Sequence, residues 1–166
     1  MMHWKIIPTI FIILLLGSCK SDPHKPKEPK KKTPPKIINV SFDSDSAYRY
    51  VEEQVAFGPR VPGTQAHQST LQYLKQKLAE YCDTAEILSG TLTKRNNRVV
   101  PIYNVWGRFD VENPKRIILA AHWDTRPQSD EDPEIINKPA DGANDGASGV
   151  GVLIEIARQL QSIKPA

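Results

Sequence analysis

The 166-residue sequence predicts an α/β fold, a mixed and largely parallel sheet flanked by helices, and three observations carry that expectation. Residues 71–81 and 150–160 repeat apolar side chains at helical spacing, the mark of helices with one buried face. Residues 116–121, Arg116-Ile117-Ile118-Leu119-Ala120-Ala121, form a short continuous apolar run, as expected of a strand covered on both faces. A long polar loop and then the second amphipathic stretch follow it, the strand, loop, helix order of an α/β unit. The length has room for one domain.

The fold is expected to begin only after a leader. Residues 1–5 carry Lys5, and residues 6–16 are apolar apart from Pro8 and Thr9, too short a run for a comfortable bilayer span. The run ends in Leu16-Gly17-Ser18-Cys19, which resembles the lipobox of bacterial lipoproteins: an aliphatic residue, two small residues that fit a signal peptidase, and a cysteine that takes a diacylglycerol. Removal of residues 1–18, acylation of Cys19 and a membrane-tethered location in the bacterial cell envelope are therefore expected. An ordinary secretory signal with an incidental cysteine is the alternative. Residues 19–36 read as a tether, because residues 20–36 set seven lysines against Asp22 and Glu28, a net of +5, and five prolines keep the stretch extended. Residues 37–166 carry 14 basic and 17 acidic side chains, a net of −3. The basic character lies in the tether, and the charge pattern gives no argument for a nucleic-acid partner.

Within 37–166, Asp43, Asp45 and Ser46 are candidate caps for a helix over 48–56, stopped by Phe57-Gly58-Pro59. Thr64 caps a second helix whose stripe is Leu71, Leu74, Leu78 and Tyr81. Cys82, at its end, is the only cysteine besides Cys19, so no disulfide framework is expected and the thiol reads as structural. Segment 85–93 alternates in part, Asn96-Asn97 can turn the chain, and 99–109 returns, which predicts a hairpin or an adjacent strand pair. Asn113-Pro114 breaks the chain before the run at 116–121, the expected central strand. Val150, Leu153, Ile154, Ala157 and Leu160 place the last helix on one apolar face. A central strand needs further strands on its flanks, so the expectation is that the sequence is the N-terminal part of a larger domain.

Two motifs fall where ligands of open α/β sheets gather, beyond the carboxyl ends of strands. His122-Trp123-Asp124 closes the apolar run, and Asp141-Gly142-Ala143-Asn144-Asp145-Gly146-Ala147-Ser148-Gly149 opens the last helix. His122 and Asp145 are of the types that bind catalytic zinc, and Asp124 is placed to orient His122 from behind. Taken singly, His122 also reads as a hydrogen-bonded structural histidine and the Asp/Gly stretch as a turn and helix cap. Asp130, Glu131, Asp132 and Glu134 read as a solvated loop rim rather than a calcium site. Arg60 is either a carboxylate anchor or a structural hydrogen-bond donor. Glu155, inside the last helix, reads as solvent-facing and not as a catalytic base.

Phe57-Gly58-Pro59-Arg60-Val61-Pro62-Gly63-Thr64, Ala121-His122-Trp123-Asp124-Thr125-Arg126-Pro127 and the stretch 141–151 resemble, in order and spacing, three motifs of the bacterial glutaminyl cyclases, within the zinc aminopeptidase-like exopeptidases. The resemblance implies a zinc exopeptidase-like fold, zinc as cofactor, peptide or protein N-termini as substrates, and conversion of N-terminal glutamine to pyroglutamate with release of ammonia. It implies Asp145 as a zinc ligand. His122 corresponds to a ligand in the two-zinc aminopeptidases and to a residue not required as a ligand in the one-zinc cyclases. It places the family's remaining ligands and its acidic proton shuttle beyond Ala166. Two other readings stay open, a two-zinc aminopeptidase and a catalytically silent lipoprotein remnant.

Overall fold

Two helices, a hairpin and a third helix position everything that bears on the candidate site. The structure, a computed structural model, describes residues 39–130, 134 and 137–163. The leader, Cys19 and the tether lie outside the described residues, as do Glu131 and Asp132.

Helix α1, Ser44–Ala56, begins four residues earlier than the sequence expectation because Asp43 takes the cap. Its carboxylate accepts from the Ser46 N–H at 3.0 Å and from Ser46 Oγ at 2.7 Å, satisfying a first-turn donor that has no partner inside the helix. Helix α2, Gln65–Tyr81, starts at Thr64, whose Oγ1 accepts from the His67 N–H at 3.2 Å. Leu71 and Leu74 of its stripe are buried, while Leu78 and Tyr81 are half-buried. Strands β1, Thr84–Thr93, and β2, Val99–Arg108, form the expected antiparallel hairpin, with Ile87 opposite Val105 and Ser89 opposite Tyr103. Asn97 turns the chain at φ 60°, a left-handed conformation that asparagine adopts more readily than most residues. The hairpin face bearing Ile87, Tyr103 and Val105 packs against the core, and the other face leaves Leu88, Leu92 and Ile102 exposed. Cys82 is half-buried with its thiol pushed up to about 11, first by burial and then by the charge of Asp83. That is the inert structural thiol expected.

Helix α3, Gly149–Ile163, lies against α1 and α2. Tyr50 of α1, Leu71 and Leu74 of α2, Val150 and Ile154 of α3, and Trp123 form the core. Ile154 and Leu71 are 1% and 2% exposed, and such burial is worth about 1.5–3 kcal/mol for each side chain.

Two expectations fail. Residues 116–121 are not a strand, and Ile117, Ile118 and Leu119 are 91%, 68% and 56% exposed. A strand is stabilised by ladder hydrogen bonds and cross-strand side-chain pairs, and among the described residues none pairs with this segment. Glu155 is not solvent-facing but fully buried. It accepts from Arg158 Nε at 2.7 Å and Nη2 at 2.8 Å, from Gln159 Nε2 at 2.7 Å, and from the Asp43 N–H at 3.0 Å. Gln159 also donates to Ser41 O at 2.9 Å, so the cluster fastens the chain entering α1 onto α3. The buried carboxylate is tolerated because these four donors satisfy its oxygens.

Hydrogen bonds from Arg158, above all, hold the Glu155 carboxyl below its ordinary pKa. A lowered folded-state value contributes stability above the unfolded value and loses it as pH falls through the folded one. Glu155→Ala should therefore lower unfolding free energy by about 2–3 kcal/mol at neutral pH. Urea titrations across the acid range should show Glu155→Gln losing less stability on acidification than the parent protein.

Candidate metal centre

Arg60 joins the three sequence motifs. It directly follows the Gly-Pro stop of α1 and is fully buried. Its Nε donates to Trp123 O at 2.9 Å, Nη1 to Asp141 O at 2.8 Å and Nη2 to Gly142 O at 2.7 Å. Its own carbonyl accepts from the Thr125 N–H at 3.2 Å. The planar donor fork is spent on main-chain carbonyls, so of the two roles open to Arg60 the structural one is realised. Burial draws its pKa below the ordinary arginine value, and the negative charges of Asp141 and Asp124 oppose that shift.

From Gly142 the chain enters a wide turn, Ala143–Ser148, in which the Ala147 N–H reaches back five residues to Gly142 O at 3.1 Å. Gly142 sits at φ 63°, and an added Cβ there would overlap Thr125 Cγ2 and lie 2.7 Å from Arg60 Nη2. Only glycine fits both the dihedral and the space. Inside the turn Asp145 departs from helical geometry, at φ −101° and ψ 88°, and its side chain is 70% exposed. Asp145 Oδ1 lies 2.8 Å from His122 Nε2. Gly146 makes that approach feasible, because a Cβ there would overlap His122 O and sit 2.8 Å from the ring's Nδ1 and Cε1.

His122 Nδ1 lies 3.2 Å from Asp124 O and 3.7 Å from Asp124 Oδ1. The nearer partner is thus the main-chain oxygen, which can only accept a proton from Nδ1. An imidazole nitrogen and a carboxylate oxygen, both open to solvent and side by side, have the donor chemistry of zinc. Among the described residues no group of three or more His, Cys, Asp or Glu side chains converges. By themselves the two donors are too few for a catalytic zinc site. On the loop after it, Asp130 pairs with Arg126 at 2.9 Å, consistent with a solvated rim.

Two residues at the site were not singled out from sequence. Gln54 of α1 is fully buried, and its Nε2 donates to Tyr50 O at 2.8 Å and Ala147 O at 3.1 Å, tying the turn to α1. His67 of α2 is 2% exposed and stacks on Trp123, with ring centroids 4.3 Å apart and planes 13° apart. Burial holds its pKa down, against the opposing charge of Asp124. The signal for His67 was present in the helical stripe, which it extends four residues before Leu71 and seven before Leu74.

The family model of peptidase family M28 matches residues 104–166. No curated protein sequence matches the chain. Among solved structures, Tannerella forsythia glutaminyl cyclase matches with 46% identity and a TM-score of 0.73 over 76% of this chain and 44% of that one. The chain has the zinc exopeptidase fold of the bacterial glutaminyl cyclases. A zinc-dependent exopeptidase from Parabacteroides distasonis matches with 47% identity and a TM-score of 0.71, over 74% of this chain and 43% of that one. A leucine aminopeptidase precursor from Bacteroides thetaiotaomicron matches with 44% identity and a TM-score of 0.74, over 78% and 46%. The chain spans less than half the length of each of these relatives.

Gly146→Ala should drive His122 away from Asp145. Overpacking of this kind costs about 1–3 kcal/mol, and thermal unfolding should show a lowered melting temperature for the variant.

Proposed function

We propose that the protein is a zinc-dependent glutaminyl-peptide cyclotransferase, converting N-terminal glutamine of peptides or proteins to pyroglutamate with release of ammonia. The observation that carries this reading is the Asp145 carboxylate, bent out of the helix and set 2.8 Å from His122 Nε2, on a chain 46% identical to a bacterial glutaminyl cyclase. Asp145 would hold the zinc, with His122 beside it and Asp124 fixing the imidazole. Zinc bound there would act as a Lewis acid on the substrate's γ-carboxamide carbonyl.

The α-amine nitrogen bonds to the γ-carbonyl carbon, the carbon to amide-nitrogen bond breaks, and the proton lost by the amine leaves with the ammonia. Because nucleophile and electrophile belong to one residue, orientation supplies much of the rate. This chain's contribution is a rigid wall: Arg60 fixes both loops, and the turn at Ala143–Ser148 presents Asp145. Glu155 is closed to proton transfer, since Arg158, Gln159 and Asp43 already occupy its carboxylate and it is fully buried.

A two-zinc aminopeptidase is the second reading, favoured by His122 lying against Asp145 as a ligand would and by the likeness to a leucine aminopeptidase precursor. In the full-length protein Asp145→Ala should strip the metal and abolish activity under either reading. His122→Ala separates them. Metal analysis should find about one zinc per chain retained for a cyclase, and a fall from two to one for an aminopeptidase. The paired assay follows ammonia from a glutamine-starting peptide and free amino acid from an aminoacyl amide. Hydrolysis of the second without cyclisation of the first overturns the cyclase reading.

The cell-envelope location is proposed with it, on the sequence Leu16-Gly17-Ser18-Cys19. Cys19→Ser should move the protein from the membrane fraction to the soluble one. Unchanged partition would remove the lipid anchor from the proposal.

A further inference from the structure

His67 takes no part in the chemistry above, yet it is buried directly beside it. Helix α2 starts one turn before it, with the Thr64 cap bonded to its N–H. One ring face lies on the Trp123 indole at 4.3 Å, and Tyr103 stands against it with ring centroids 5.7 Å apart. The indole is held in two further ways: its Nε1 donates to Tyr103 O at 3.2 Å, and the carbonyl of the same residue accepts from Arg60. Trp123 is 8% exposed, whereas the His122 and Asp124 side chains are 56% and 49% exposed.

In extended chain successive side chains point to opposite sides, and a slip of one residue exchanges the two sets. Seating Trp123 inward is therefore the same event as turning His122 and Asp124 outward.

We infer that His67 is a positioning residue of the metal centre: stacked on Trp123, it sets the register of residues 122–124 and so the direction of His122 and Asp124. The inference rests on the zinc reading for its functional consequence and on the stack alone for its geometry. It predicts that an aromatic ring of similar shape suffices and that an alanine does not.

The test uses the full-length protein with His67→Ala and His67→Phe, read by three measurements: backbone and indole NMR resonances of residues 122–124, zinc affinity well below the melting transition, and the melting temperature. His67→Ala should shift the Trp123 indole and the His122 and Asp124 amide resonances and, where His122 binds the zinc, weaken zinc binding about tenfold. His67→Phe should restore both. A His67→Ala protein that melts earlier while its 122–124 resonances and zinc affinity stay in place overturns the inference, because that is what mere packing predicts. So does a His67→Phe protein as impaired as the alanine variant. Should the parent protein bind no zinc, the zinc reading fails on its own, and the resonances still decide: movement in His67→Ala with recovery in His67→Phe supports the register role, and stillness overturns it.

Discussion

The arrangement depends on one buried cation. Arg60 gives its guanidinium to the carbonyls of Trp123, Asp141 and Gly142, which belong to segments far apart in sequence. Hydrogen bonds to a charged donor are worth about 1.5–3 kcal/mol each, and here they replace the water that the buried group and carbonyls gave up. Because the acceptors are main-chain atoms, the clamp constrains the path of the loops more than their side chains. Its strictest demand falls on Gly142, where the backbone conformation and the crowding against Arg60 leave no room for a Cβ.

With the loop ends fixed, the rest of the site follows from packing. Trp123 turns inward onto His67, which sends its neighbours outward. Gln54 fixes Ala147 from the other side, and the turn between Gly142 and Ser148 is wound too widely for Asp145 to keep helical dihedrals. The exposed carboxylate and imidazole meet because two rigid segments end there, with Gly146 leaving room between them.

Beyond this wall the described residues hold less of the α/β architecture than the fold class implies. The apolar segment 116–121 leads straight into His122 yet lies exposed and unpaired among them. The likeness to zinc exopeptidases, rather than the hairpin, is what establishes the larger sheet as the fold's setting. An apolar stretch next to a polar site carries two roles, a ladder to pair and a direction to impart, and only the second is visible in these residues.

Local signals are legible where they are complete within a few residues. The cap at Thr64, the stop at Phe57-Gly58-Pro59, the Asn96-Asn97 hairpin and the inward face of α3 each rest on short-range sterics and periodicity, so the sequence alone determined them. The nearness of His122 and Asp145 is expected from the place of their motifs beyond the carboxyl ends of strands, and from the resemblance. What residues alone could not settle are the partnerships made across the chain: Glu155 reads as a surface position until Asp43 and Arg158 close over it, and Arg60 has two equal readings until three carbonyls meet it. Apolar runs are ambiguous for the same reason, because a strand exists only when another backbone lies beside it. Tertiary structure decided these points, since burial, charge pairing and ladder hydrogen bonds belong to pairs of residues and no single one contains them.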